Sequence, residues 1–114
     1  PYLQYSNTRA KSILRKIDSD PEISGELDDS EYRLLKKLGE FSERVDEAVE
    51  QREPAKVANY LSSLCEEFNS FYHSSPVMDA PETDRKRRAR IVELFVDVTD
   101  QGLELLGIEP LERM

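Results

Sequence analysis

Few side chains in this sequence are able to do covalent or acid–base chemistry. Cys65 is the only cysteine and His73 the only histidine among 114 residues. A thiolate nucleophile and its base must lie within hydrogen-bond reach. Eight residues along one helix would instead hold these two about 12 Å apart. Cys65 falls inside an apolar stripe, where a cysteine acts as a small core residue. A single histidine excludes any motif with two histidine ligands on one helix. A single cysteine excludes an internal disulfide framework and a multi-cysteine zinc site, and it suits a reducing compartment. The carboxylates Glu66, Glu67, Asp97 and Asp100 form pairs, but a di-iron bundle needs two Glu-x-x-His units. The four glycines (Gly25, Gly39, Gly102 and Gly107) are scattered, so no glycine-rich loop cradles a phosphate. The expectation is a domain with no catalytic residues, no metal and no cofactor of its own.

Binding chemistry is better represented. The formal net charge of −8 argues at first against a polyanionic partner. Its distribution argues the other way. Residues 1–17 carry Arg9, Lys11, Arg15 and Lys16 with no acid, while residues 18–53 carry thirteen acids against five bases. A second basic run, Arg85-Lys86-Arg87-Arg88 followed by Arg90, stands where the helix dipole favours anions. Either a phosphate or an acidic neighbour would explain it, and the acidic middle could be that neighbour. Tyr2 and Tyr5 stand beside the first basic cluster, and Phe68, Phe71 and Tyr72 gather ahead of a turn. Most of these rings belong to a core by spacing alone. Tyr5 and Tyr72, at segment ends, are the exceptions able to stack an unpaired base, a contact worth about 1–3 kcal/mol.

Helices must position all of these groups, because apolar residues recur with helical period almost throughout. Leu3, Ala10, Ile13, Leu14 and Ile17 share one face, and Ser19-Asp20-Pro21 ends that segment. Residues 21–29 read as a loop. Asp29 or Ser30 caps a second helix bearing Leu34, Leu35 and Leu38, and Gly39 marks a break before Phe41, Val45, Ala48 and Val49. Pro54 opens the most regular stripe, Val57, Leu61, Leu64, Cys65, Phe68, Phe71 and Tyr72, which closes at Ser74-Ser75-Pro76. A last helix starts near Thr83 or Asp84 and carries Ala89, Val92, Phe95, Val96, Thr99, Leu103 and Leu106 up to Gly107. The sum is an all-α antiparallel bundle of four to five helices in one domain, residues 1–114, with Leu61, Leu64, Phe68, Phe95 and Leu103 in its core. No run of eighteen apolar residues exists to span a membrane. A chain opening at Pro1 without an initiator methionine is expected to be a trimmed or proteolytic piece.

Three strings add a resemblance. Pro1-Tyr2-Leu3-Gln4-Tyr5-Ser6-Asn7-Thr8-Arg9 with Ser12-Ile13-Leu14 resembles the segment that opens the anticodon-binding domain of arginyl-tRNA synthetases. Ala58-Asn59-Tyr60-Leu61 and Phe68-Asn69-Ser70-Phe71-Tyr72-His73 resemble its middle. Gly102-Leu103-Glu104-Leu105-Leu106-Gly107-Ile108, then Glu112-Arg113-Met114, is similar to the carboxy terminus of those enzymes. The order and spacing run from end to end of the chain. Ser6 and Thr8 stand where the family commonly has alanine, and Pro110-Leu111 where alanine-proline is usual.

The resemblance implies a DALR-type helical bundle that receives the anticodon stem-loop of arginine tRNA. It places Tyr72 and Met114 at the anticodon, with Tyr2, Gln4, Tyr5 and Asn7 on or near the RNA-facing helix. Arg9, Lys11, Arg85, Arg87 and Arg88 are the expected contacts to the RNA backbone. The family's ATP- and magnesium-dependent arginine chemistry belongs to a catalytic domain with His-Ile-Gly-His and Lys-Met-Ser-Lys-type signatures, and neither is present here. This chain alone is therefore expected to be an inactive, cytoplasmic monomer that packs against the missing catalytic domain. Two rivals stay open: an anticodon-binding domain of another class I synthetase, such as a cysteinyl enzyme, and a protein-interaction bundle with no RNA role.

Overall fold

A computed structural model describes residues 2–17 and 20–108. Five helices follow one another: α1 (Tyr2–Lys16), α2 (Asp29–Leu38), α3 (Phe41–Gln51), α4 (Ala55–Ser74) and α5 (Glu82–Leu105). No strand occurs among the described residues, so the all-α expectation holds. Asn7 of α1 lies beside Thr99 of α5, and Glu22 just beyond α1 lies beside Lys86. Those two helices therefore run antiparallel. Antiparallel packing of α4 on α5 follows from Leu61 meeting Gly102 and Phe68 meeting Phe95. Central α4 packs against each of the other four helices.

Local sequence explains the helix boundaries. Asp28, one residue earlier than expected, is the cap of α2. Its side chain accepts from the Glu31 N–H at 2.8 Å, and Glu31 Oε1 accepts from the Asp28 N–H at 2.8 Å. This reciprocal box satisfies two donors that a helix start leaves without partners. Gly39 ends α2 in a right-handed conformation, and α3 resumes two residues later, so the expected break is present. The start of α5 is also slightly earlier than expected, after Pro81, with Glu82 and Asp84 in its first turn. At the other end Gly107 is left-handed, φ +71°. Ile108 N–H bonds to Leu103 O and Gly107 N–H to Glu104 O, a Schellman closure. The same closure ends α3, with Glu53 N–H on Ala48 O, but there Arg52 takes the left-handed position at φ 55°.

The core lies where α4 meets α5. Leu61, Leu64, Phe68, Phe95 and Leu103 are fully buried, as their helical phase predicts. Phe68 and Phe95 stack with ring centroids 4.1 Å apart. Buried phenylalanines of this kind contribute about 3–5 kcal/mol each. Tyr60 closes the α2 side, its burial pushing the phenol pKa up while its hydroxyl donates to Lys37 O at 2.6 Å. Burial likewise pushes the Cys65 thiol up to about 11. That group is a core filler without nucleophilic character near neutral pH.

Candidate nucleic-acid interface

The exposed aromatic and basic residues of α1 and the second half of α4 form one surface. Both helices must turn an apolar face inward, and the residues left over point outward from adjacent elements. Tyr2 and Tyr5 are exposed on α1, one turn apart, with half-buried Arg9 one turn further. Asn69 Nδ2 donates to the Tyr2 hydroxyl across the helix pair. Tyr2, Tyr5, Ser6, Arg9 and Asn69 line a shallow cleft of about 170 Å³. The buried Asn69 Oδ1 accepts no hydrogen bond from the described residues. A second cleft, of about 320 Å³, lies past Tyr72 between Ile13, Lys16, His73 and the 76–79 turn.

Tyr72 stands between the two clefts. Its ring is 37% exposed and lies nearly parallel to that of buried Phe68 at 6.3 Å, with His73 edge-on at 5.5 Å. The Arg9 guanidinium sits over the Tyr72 ring, 4.9 Å from its centroid. The result is a ring braced from the core, with a cation already on it. An unpaired base could stack on that guanidinium plane or take its place on the ring. Lys16 makes no ion pair among the described residues, so its charge remains available at the far end of α1.

Other expected contacts are arranged differently. Asn7 is fully buried: its amide donates to Thr99 Oγ1 at 2.8 Å and to Asp100 Oδ1 at 2.9 Å, tying α1 to α5. The expectation that Asn7 faces RNA is corrected, because one more helical step turns its side chain inward. Lys11 is half-buried and pairs with Asp100 at 2.9 Å. Gln4 is half-buried on α1, and its carbonyl accepts from Thr8 Oγ1. Met114 lies outside the described residues.

The second basic run is corrected more thoroughly. Arg87 is 3% exposed, with Nε 3.1 Å from Glu31 Oε2, Nη2 2.8 Å from Asp84 Oδ1 and Nη1 donating to Ser24 O. Arg88 Nε is 2.9 Å from the same Glu31 oxygen, and Arg88 also donates to Pro76 O and pairs with Asp28. Burial would lower the Arg87 pKa, but Asp84 and Glu31 outweigh it and raise it. Burial would raise the Asp28 carboxyl, yet the Glu31 N–H, the Ser75 and Ser30 hydroxyls and the Arg88 charge hold it below its ordinary value. Arg87 and Arg88 are therefore internal ties joining α5 to α2, and they are not offered to a phosphate. Arg85 is half-buried, with Nη1 donating to Ala80 O.

Sequence reasoning missed the partners. Glu31 is the hub of the buried cluster, and the Asp28-x-x-Glu31 spacing of a capping box was its only signal. Asn69, adjacent to Phe68 in the sequence, carried no separate signal for its place beside Tyr2. Among the described residues no group of histidine, cysteine, aspartate and glutamate side chains could hold a metal ion. Among the same residues no helix is long and apolar enough to cross a membrane.

Comparison with known proteins fits this geometry. The chain is 38% identical over its whole length to the arginine–tRNA ligase of Clostridium botulinum, of which it covers 21%. It is 40% identical to that of Stutzerimonas stutzeri, again covering 21%. It superposes on the arginyl-tRNA synthetase of Thermus thermophilus with a TM-score of 0.94 at 36% identity, covering all of this chain and 21% of that one. A putative arginyl-tRNA synthetase from Campylobacter jejuni shares the fold at a TM-score of 0.82 and 20% identity. The chain thus spans about a fifth of the length of the curated relatives it matches. Residues 3–114 match the DALR anticodon binding domain, and the chain belongs to that family.

Proposed function

We propose that this domain binds the anticodon stem-loop of arginine tRNA as part of an arginine–tRNA ligase. The observation that carries the reading is Tyr72, a ring braced by Phe68 and covered by Arg9, on a surface shared with Tyr2 and Tyr5. Specific RNA recognition uses unpaired bases, stacked on aromatic or guanidinium planes and read along their edges. Tyr72 and Arg9 offer the planes, while the Tyr2 and Tyr5 hydroxyls, the free Asn69 acceptor and Gln4 offer the edges. Lys11, Lys16 and Arg85 approach the backbone, and Met114 completes the anticodon contact. In this reading the protein is a cytoplasmic monomer whose remaining part holds ATP and magnesium and performs the arginine activation. The domain alone charges no tRNA.

The test measures binding of the isolated domain to arginine tRNA and to the same tRNA with a swapped anticodon. Binding should weaken with the swap. Tyr72→Ala should weaken it by roughly 1–3 kcal/mol while Tyr72→Phe keeps most of it. Thermal melts run in parallel separate lost recognition from lost folding. A Tyr72→Ala variant that melts normally and binds arginine tRNA as tightly as the parent would reduce Tyr72 to packing.

A further inference from the structure

Between α4 and α5 the chain turns through residues 75–81, and polar side chains from the α2 cap and from α5 hold that turn. Ser75 is fully buried. Its hydroxyl donates to Asp28 Oδ2 at 3.0 Å and lies 2.8 Å from the buried Ser30 hydroxyl. Arg88 Nη1 donates to Pro76 O at 2.6 Å. The same guanidinium meets Glu31 Oε2 through Nε at 2.9 Å and Asp28 Oδ2 through Nη2 at 3.5 Å. Further along, Val77 is buried in the core and Arg85 donates to Ala80 O. The turn also has an open side. Pro76, Val77, Met78 and Asp79 wall the cleft of about 320 Å³ beside Tyr72, and Met78 is exposed there. Asp28, Ser75 and Arg88 stand outside that lining.

We infer that Asp28, Ser75 and Arg88 are positioning residues for RNA recognition: they fix the turn that walls the cleft beside Tyr72, without touching RNA. This assignment deepens the ligase reading above and rests on it. Pro76 and Pro81 bracket the turn and bring no N–H of their own. Within it the Ala80 N–H reaches Val77 O only at 3.5 Å. Side chains must therefore supply the rigidity. A wall that is ordered beforehand loses less conformational freedom when a ligand arrives. Arg88 suits the task because its planar fork engages Glu31, Asp28 and Pro76 at once, which a lysine ammonium does not reproduce. That engagement leaves its side chain 13% exposed, so its charge is spent inside the protein. Tyr72 lies one turn ahead of Ser75, whose N–H bonds to Phe71 O at 2.8 Å, so the knot also steadies the helix end that carries the ring.

The experiment uses three variants of this chain. Arg88→Lys keeps the charge and loses the fork, Arg88→Gln loses both, and Ser75→Ala removes only a hydroxyl. Amide hydrogen exchange of residues 77–80, measured without RNA, should be about fivefold faster in all three. Each should bind arginine tRNA roughly three- to tenfold more weakly, at a temperature where melts show it fully folded. In Arg88→Gln the slope of log K against log salt should match the parent's. A turn that exchanges as in the parent would overturn the inference. So would a slope lowered by about one unit in Arg88→Gln, because Arg88 would then touch a phosphate. The parent's response to a swapped anticodon is read in the same titrations. If the parent ignores the swap, the ligase reading fails and takes this assignment with it. If the parent heeds the swap and the variants bind as tightly as it does, this assignment fails alone.

Discussion

Arg9 on α1 and Arg87 on α5 belong to basic clusters that look equivalent in sequence, yet the fold uses them in opposite ways. Arg9 is half-buried over an exposed tyrosine ring, with Lys16 further along the same helix. Arg87 is sealed between Glu31 and Asp84, and Arg88 shares Glu31 with it. What separates them is the chain that lies opposite. Arg9 meets the Tyr72 ring of α4, which offers it no carboxylate, whereas the start of α5 faces the acidic cap of α2. A buried cation must be paired because its desolvation otherwise costs several kcal/mol. A surface cation has no such requirement and stays available to a ligand.

This contrast can be broken most forcefully at Glu31. Glu31→Ala leaves Arg87 and Arg88 without their shared partner and should cost about 3–5 kcal/mol in denaturant unfolding. Replacing the set together, Glu31→Met with Arg87→Met and Arg88→Leu, should cost less than that single change, since no buried charge is then stranded. A triple variant worse than Glu31→Ala would show that the cluster stabilises through more than mutual compensation. The two clusters should also differ in salt dependence. Lys16→Ala, in the cluster of Arg9, should lower the slope of log K for arginine tRNA against log salt by about one unit, while Arg87→Lys in the folded state should leave it unchanged. Equal slope losses would place Arg87 at the RNA after all.

Smaller effects sharpen the picture. Arg52 holds a left-handed conformation that costs a residue with a side chain roughly 1–2 kcal/mol, part of which a flexible glycine gives back in the unfolded chain. Arg52→Gly should therefore stabilise by about 0.5–1 kcal/mol in thermal or urea unfolding, and a loss would reveal a contact of the arginine head. Asp28 is held below its ordinary pKa of 3.8, so its contribution is present above that value and disappears as pH falls through the lower, folded one. Asp28→Asn keeps a good cap but removes the charge. Melting temperatures of parent and variant should differ at pH 7 and converge as the pH falls below the ordinary carboxylate range. Curves that stay parallel to pH 2 would assign the difference to something other than this titration.

Much of the fold was legible because burial follows period. The stripe from Val57 to Phe71 needed one helix, and Pro54 and Ser74 bounded it. Cap residues slipped by one or two positions where adjacent candidates compete, as among Asp28, Asp29 and Ser30. The candidate site was less legible, since its members meet only through tertiary packing. Arg87 and Glu31 are 56 residues apart, and Asn7 and Thr99 are 92 apart. The sequence places Asn7 on the same helix between Tyr2 and Arg9, yet only the position of α5 shows that its amide points inward. The resemblance supplied Tyr72, and the structure added the Arg9 guanidinium over it.

Gly102 sits so close to α4 that a β-carbon there would lie 2.6 Å from a methyl of Leu61. Seven residues earlier the Phe95 ring lies flat on Phe68. A slide of α5 by one turn would drive Val98 or Leu106 into the space that only a hydrogen atom now fills, and close-packed interiors do not yield to that gradually. The two long helices are thus keyed to one register, like a shaft in its slot.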